Sequence, residues 1–306
     1  MRVLIVGCGY VGLPLGVELV RTGHVVFGLR RNPEAEAELR AARIAPLFAD
    51  ISDAASLAGL PRDFDWVVNC AATSGGTVED YRRLYLEGTR NLLAWLRETP
   101  PRRYIWTSST GVYGQNDGSV VEETDPTAQV AETARVFVET EKLLGSAQEQ
   151  KNFPVVVLRL AGIYGPGRGY WLKQFLNGQA RLDGDGARFI NMIHRDDVVG
   201  VILAALKRSP PFPVYNVVDN EPVSQRDLFE WLAAQSGKPF PPSAPEDDDG
   251  VRKRGVTNKR VSNRRLREEM GYRFKYPTFR EGYAVEIRRM QEEDPLRVGS
   301  RRGGGL

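Results

Sequence analysis

The chain has few residues suited to covalent cross-linking or soft-metal binding: of 306 residues, two are cysteine and two are histidine. Cys8 and Cys70 cannot build a disulfide framework, and no Cys/His cluster has zinc spacing. No apolar run approaches the roughly 18–20 residues of a membrane-spanning helix, which excludes a span of that kind. Apolar residues still make up 42% of the chain, enough to exclude global disorder. Nor does a basic segment, apolar core and cleavage site open the sequence, which begins Met-Arg-Val-Leu-Ile-Val-Gly. With so few cysteines, this predicts a cytoplasmic protein.

The net charge of +3 hides an asymmetry, because from Val251 onward 16 Lys and Arg face 7 Asp and Glu. The last 56 residues therefore carry +9 and the preceding 250 carry −6. A basic end of this kind suits an anionic small molecule or a solvated face. No DNA- or RNA-binding motif accompanies it, so no nucleic-acid partner is expected.

Short apolar β-rich runs alternate with helical spacing: Val3–Val6, Val25–Leu29, Ile44–Phe48, Trp66–Cys70, Tyr104–Thr107 and Val155–Leu160 read as strands. Between them, Leu13–Arg21, Pro33–Ala42, Asp80–Glu98 and Ala128–Ala147 read as helices. This alternation predicts an α/β fold with a doubly wound parallel sheet. Beyond Gly169 the elements shorten, with helices expected at Tyr170–Asn177, Asp197–Lys207 and from Ser224, a strand at Val214–Val218 and a solvated loop at Pro239–Gly255. The expected division is a nucleotide-binding domain over residues 1–165 with contributions from about 190–218, a smaller, partly interleaved lobe over 166–290, and a disordered tail over 291–306.

Gly7-Cys8-Gly9-Tyr10-Val11-Gly12 is a G-x-G-x-x-G between the first strand and the first helix. The first glycine makes the turn, the second lets backbone approach a pyrophosphate, and the third lets helix pack on strand. Free N–H groups at the helix N-terminus, around Tyr10 and Val11, favour an anion. The fold is therefore Rossmann-like and the expected ligand is a dinucleotide. Strand two ends in Arg30-Arg31 where an acid holding the ribose 2′-hydroxyl is usual. Two guanidinium groups suit a 2′-phosphate, which predicts NADP over NAD; the alternative is that one or both arginines point to solvent.

The run Thr107-Ser108-Ser109-Thr110-Gly111-Val112-Tyr113-Gly114 resembles the strand end of extended short-chain dehydrogenases, the NAD-dependent epimerase/dehydratase family that acts on nucleotide sugars. Ala49-Asp50-Ile51, Asn69-Cys70-Ala71-Ala72, Leu158-Arg159-Leu160-Ala161-Gly162-Ile163-Tyr164-Gly165-Pro166-Gly167 and Ile193-His194-Arg195-Asp196-Asp197 resemble family landmarks in family order. The resemblance implies that Asp50 and Ile51 flank the adenine, that Ala71 and Ala72 line the cofactor's path, and that Ser109 holds the substrate oxygen. It also implies a homodimer through the helices at Asp80–Glu98 and Ala128–Ala147.

The family's Tyr-x-x-x-Lys is missing. Alignment on Glu141-Lys142-Leu143-Leu144 puts Thr133 at the tyrosine and Phe137 at the lysine, while Tyr85 and Gly162 replace two asparagines usual in the family. A threonine hydroxyl is too weak an acid to replace tyrosine. Tyr113 is the first candidate substitute, and Tyr164, Arg135, Glu139 and Lys142 are further ones. Arg168 is a candidate for a substrate phosphate. His194 is placed at the substrate lobe, with Asp196 or Asp197 capping the helix that follows. Two functions stay open: a hydride-transferring oxidoreductase or epimerase, and a non-catalytic NADP-binding sensor or regulatory protein.

Overall fold

The computed structural model describes residues 1–73, 75–127, 130–151, 153–208, 213–245 and 257–293. In its first half strand and helix alternate: β1 (Arg2–Val6), α1 (Gly12–Arg21), β2 (Val25–Arg30), α2 (Glu36–Ala41), β3 (Ala45–Phe48), α3 (Ala54–Leu57), β4 (Trp66–Asn69), α4 (Val78–Tyr81), α5 (Gly88–Trp95) and β5 (Arg103–Ser109). β6 (Asn116–Val121), α6 (Glu132–Lys151), β7 (Val155–Leu160), β8 (Gly162–Tyr164) and α7 (Tyr170–Leu176) follow. The chain continues with β9 (Phe189–Ile190), β10 (Met192–His194), α8 (Arg195–Lys207), β11 (Val214–Val217), β12 (Val223–Ser224) and α9 (Gln225–Ser236). It closes with β13 (Asn258–Val261), α10 (Arg264–Glu268) and α11 (Phe279–Glu293).

Seven strands form one parallel sheet in the order β11-β7-β5-β4-β1-β2-β3. Its inner strands β1, β4, β5 and β7 are buried on both faces, which is why they read as unbroken apolar runs. Successive residues go to opposite cores: Ile5, Val68, Ile105 and Leu158 pack with Leu15, Leu19, Val198 and Ile202 on one face. Leu4, Val67, Tyr104 and Trp106 pack with Val136 and Leu144 on the other. A third core joins Tyr164, Leu172, Phe175, Phe229, Phe279 and Tyr283. The strand order reverses between β1 and β4, so their C-terminal ends open the crevice where such sheets bind ligands.

Three local expectations are corrected. The helix expected over Asp80–Glu98 is interrupted by a π-helical stretch, Arg82–Glu87, between α4 and α5. α6 begins at Glu132, after a segment that includes 128 and 129, which lie outside the described residues. Residues 291–293 complete α11 instead of beginning a tail. The rest of the expected tail, 294–306, and residues 246–255 of the expected loop lie outside the described residues.

Candidate functional site

The glycine-rich turn caps β1 at the strand-order reversal. Gly7 has φ +80°, and a Cβ there would lie 2.5 Å from the Ala71 backbone nitrogen. A Cβ on Gly12 would lie 2.7 Å from the Gly7 carbonyl oxygen and 2.8 Å from Ile5 Cγ2. Gly9 differs, since its nearest neighbour is the Arg30 side chain at 3.4 Å. The first and third glycines are thus required by packing, whereas the second keeps a face clear. Val11, the N-cap of α1, provides no side-chain cap. These features fit the pyrophosphate of a dinucleotide.

Around the turn, Arg30 Nη1 donates to the Cys8 carbonyl at 2.7 Å and lies 3.9 Å from Glu38 on α2. Arg31 is exposed beside it. Asp50 accepts from the Ser52 N–H at 3.0 Å and its hydroxyl at 2.7 Å. Partial burial would raise its pKa, but these Ser52 bonds, with Arg31 and Arg83, hold it below the usual range. Ile51 is buried against Gly88. Ala71 borders Gly7, and Ala72 is exposed next to it. Glu38 had no signal in the sequence, because only the β2–α2 turn folds it back onto Arg30.

Ser109 ends β5, its hydroxyl accepting from the Gly111 N–H at 3.0 Å as the chain enters a 3₁₀ turn. Neighbouring Ser108 faces the other way and donates to Glu141 Oε1 at 2.6 Å. On α6, Thr133 is half-buried in the first turn. One turn on, Phe137 packs in an aromatic cluster, its ring centroid 4.5 Å from Tyr85, 6.2 Å from Tyr81 and 6.0 Å from Trp106. The Tyr85 hydroxyl accepts from the Thr73 N–H at 3.2 Å. Two departures from the family pattern, Tyr85 and Phe137, therefore pack against each other with their rings tilted by 42°.

Tyr113 is not brought to the crevice. It is fully buried, donates to Asn216 Oδ1 at 2.7 Å and accepts from Arg159 Nη1 at 2.7 Å. Burial pushes its pKa up to about 12 against the pull of Arg159. With both hydroxyl functions committed inside the protein, it is a structural bridge, which corrects its expected role as proton donor. Tyr164 is buried against α11, near the Thr278 carbonyl. Glu139 pairs with Arg82 at 2.8 Å, and Arg135 and Lys142 are exposed.

Arg168 leans over the ring of Tyr10 at 5.2 Å, and Arg195 lies 5.4 Å from the same ring. Both cations thus flank the ring of Tyr10, a residue of the glycine-rich turn. The Tyr10 hydroxyl is buried without a hydrogen-bond partner among the described residues. His194 is 1% exposed and is itself the N-cap of α8, its Nδ1 accepting from the Asp196 N–H at 3.1 Å. This corrects the expected Asp cap and leaves His194 in a structural position at the start of α8. Asp197 instead accepts from the Lys275 and Tyr276 N–H groups and the Tyr272 hydroxyl.

With Nδ1 accepting, the His194 ring is neutral, and Glu286 Oε1, 3.5 Å from Nε2, faces its N–H. Burial pushes its pKa down from 6.5 to about 4. The unfolded chain therefore takes up a proton below about pH 6.5 that the fold refuses until about pH 4. Stability should fall by up to about 3 kcal/mol as pH drops through that window. Urea midpoints measured from pH 7 to 4.5 check this, and His194→Asn, which keeps a capping oxygen, should flatten that part of the curve.

Comparison with known proteins covers most of the chain. A family model described as "NAD dependent epimerase/dehydratase family" matches residues 3–217. The chain is 28% identical over 284 residues to Protein YeeZ of Escherichia coli (strain K12), covering 90% of this chain and 96% of that protein. It is 28% identical over 313 residues to a 3-diazoavenalumate denitrifying reductase from a Streptomyces species, covering 94% and 100%. Among solved structures, UDP-glucose 4-epimerase from Thermotoga maritima, determined with UDP-glucose, has the same fold, with a TM-score of 0.79 at 19% identity and coverage of 96% and 99%. Among the described residues, no helix is long and apolar enough to cross a membrane.

Proposed function

The chain belongs to the NAD dependent epimerase/dehydratase family, and from that premise we propose that it is an NADP-preferring enzyme acting on an alcohol or carbonyl group of a nucleotide sugar or similar anionic small molecule. The single observation that carries this reading is the clear face of Gly9, set at the strand-order reversal with Arg30 at one side. When bound there, the nicotinamide cofactor supplies or accepts a hydride. Gly7, Gly9, Tyr10, Val11 and Gly12 hold its pyrophosphate, with Arg168 beside the Tyr10 ring. Asp50, Ile51, Ala71 and Ala72 border the rest of its path. Ser109 orients the reacting oxygen, and Thr133 stands in the first turn of α6. The reductase among the relatives and the UDP-glucose of the structural neighbour support hydride chemistry and a nucleotide-linked substrate.

NADP preference rests on Arg30 and Arg31. Glu38 is a weak competitor for a 2′-phosphate, because its 3.9 Å pair with Arg30 is partly exposed and worth at most about 1 kcal/mol. A charge-assisted bond to phosphate is worth about 1.5–3 kcal/mol. Arg30→Ala should therefore weaken NADPH about 10- to 100-fold and leave NADH within about 2-fold. Fluorescence titration of both cofactors against wild type and variant decides; equal losses for the two would remove the NADP assignment. The apolar pairing of Tyr85 with Phe137 favours a second reading, a non-catalytic NADP-binding protein. Turnover of a panel of nucleotide sugars with NADP and NADPH separates the two.

A further inference from the structure

Two cations from different parts of the chain converge on one residue of the glycine-rich turn. Arg168 follows β8 and Arg195 opens α8, yet their guanidinium carbons stand 5.2 and 5.4 Å from the centroid of the same ring, that of Tyr10. Like charges brought to one ring repel each other, and the ring attracts each of them only modestly. The Tyr10 hydroxyl is a further donor at this place, buried and without a hydrogen-bond partner among the described residues. Burial raises its pKa, and Arg195 and Arg168 pull against that rise, so the hydroxyl keeps its proton at neutral pH and both charges act on it.

The backbone fixes where both arginines start. Gly165 and Arg168 exchange N–H···O bonds of 2.9 Å in each direction, closing a tight turn in which Gly167, at φ +68°, takes the left-handed conformation. The Lys173 ammonium donates to the Gly167 carbonyl at 2.6 Å and braces the same turn. A Cβ on Gly165 would lie 3.3 Å from the Tyr10 hydroxyl and 3.1 Å from His194 Nε2, so a glycine lets the turn close against Tyr10. Arg195 follows the capping His194 and donates from Nη2 to Asp196 Oδ1 at 2.9 Å. Asp196 also accepts from the Lys275 ammonium at 3.0 Å, so one carboxylate is shared by two cations. Tyr10 ties this group to the crevice, because it stands in the turn between Gly9, whose face is clear, and Val11, the N-cap of α1.

We propose that Arg168, Arg195 and the Tyr10 hydroxyl form a diphosphate-binding subsite, in which side chains from beyond the glycine-rich turn supplement its backbone N–H groups. The proposal deepens the nucleotide-linked reading above and rests on it. Two guanidinium forks match the two negative charges of a diphosphate, and each offers phosphoryl oxygens paired, charge-assisted bonds that an aromatic face cannot accept in their place. The phenol donates to a further oxygen. Donors held by a closed turn and a capped helix lose little freedom when the anion arrives, so more of each bond appears as affinity. Both a dinucleotide and a nucleotide-linked substrate carry such a group, and the ligands below separate these two sources.

Calorimetric titration tests the subsite with NADH, NADPH and ADP on the free protein and with UDP on protein saturated with NADPH. Arg168→Gln and Arg195→Gln are compared with wild type, and urea midpoints establish that each variant is folded. With the cofactor's diphosphate in the subsite, each variant should weaken NADH, NADPH and ADP alike by about 10-fold, unlike Arg30→Ala, which separates NADPH from NADH. With the substrate's diphosphate there, the same loss falls on UDP and spares the dinucleotides. Tyr10→Phe keeps the ring and removes one neutral donor, so it should cost the same ligands about 3-fold. Arg195→Lys, which keeps a charge beside Asp196, serves if the glutamine variant does not fold, with a loss of about 3-fold expected once the fork is gone. Folded variants that bind every ligand like wild type would overturn the subsite and leave the cofactor reading standing. A wild type that bound UDP but no dinucleotide would end the NADP reading, and UDP titration of the free protein would then decide the subsite. Binding of none of these ligands by wild type would overturn both.

Discussion

Replacing Arg159 by methionine should lower folding stability by about 3–5 kcal/mol, the usual result of breaking a buried ion pair by removing one partner. Arg159 and Glu141 side chains are 7% and 11% exposed and meet at 2.6 Å. Arg159 also donates to the Tyr113 hydroxyl at 2.7 Å and the Glu123 carbonyl at 3.1 Å, while Glu141 accepts from Ser108 at 2.6 Å. The variant would leave the Glu141 carboxylate, the Tyr113 phenol oxygen and the Glu123 carbonyl without the donors that Arg159 supplies. The Arg82–Glu139 pair has similar geometry, 2.8 Å, but its side chains are 38% and 34% exposed. There Arg82→Ala should cost far less, because solvent screens an exposed pair. The double variant Arg159→Met/Glu141→Leu should regain much of the single loss. Urea denaturation of the four proteins checks this, and a loss below about 1 kcal/mol for Arg159→Met would contradict the network.

Substitution of Gly7 and Gly9 should separate folding from binding. Gly7→Ala places a Cβ at φ +80° and 2.5 Å from the Ala71 nitrogen, with the Cys70 carbonyl carbon at 2.8 Å. Left-handed backbone costs an alanine about 1–2 kcal/mol, and separating β1 from the chain after β4 adds strain, for a total of about 3 kcal/mol. NADPH binding should fall at least about 100-fold in the same variant. At Gly9 the added methyl meets only the flexible Arg30 side chain at 3.4 Å. Stability should therefore change by less than about 1 kcal/mol, whereas NADPH affinity drops at least about 10-fold because backbone must approach the pyrophosphate there. Calorimetric binding beside urea denaturation reads both effects. A Gly9→Ala protein that bound NADPH like wild type would remove this turn from the cofactor site.

The parts of the site legible in the sequence are local ones. Gly7, Gly9 and Gly12 follow a strand and precede a helix, and their spacing carries its reason within six residues. The apolar runs of β1, β4, β5 and β7 are buried on both sides, so composition marks them as inner parallel strands, whereas the edge strand β3 is part-exposed along its length. Tyr113 misled because a tyrosine at a strand end looks available. Only the arrival of Arg159 from β7 and Asn216 from β11 shows that its hydroxyl points inward. His194 misled in a similar way, since its capping role depends on backbone geometry at the start of α8.

The absent Tyr-x-x-x-Lys was visible without a structure, but its consequence was not. Thr133 and Phe137 are read from one helix, whereas the Tyr85–Phe137 contact joins residues 85 and 137 across two helices. Lys259 lies 146 residues from the Tyr113 carbonyl it touches. No periodicity links such positions, because their meeting depends on a parallel pairing of β6 with β13 whose register breaks at the lysine. By itself the sequence determined the α/β layering, the parallel sheet and the dinucleotide turn, since each follows from hydrophobic period and glycine stereochemistry over short stretches. The tertiary structure alone decided which polar groups are committed to one another and which face the crevice, because hydrogen bonds and burial are set by residues that the chain brings together only when it folds.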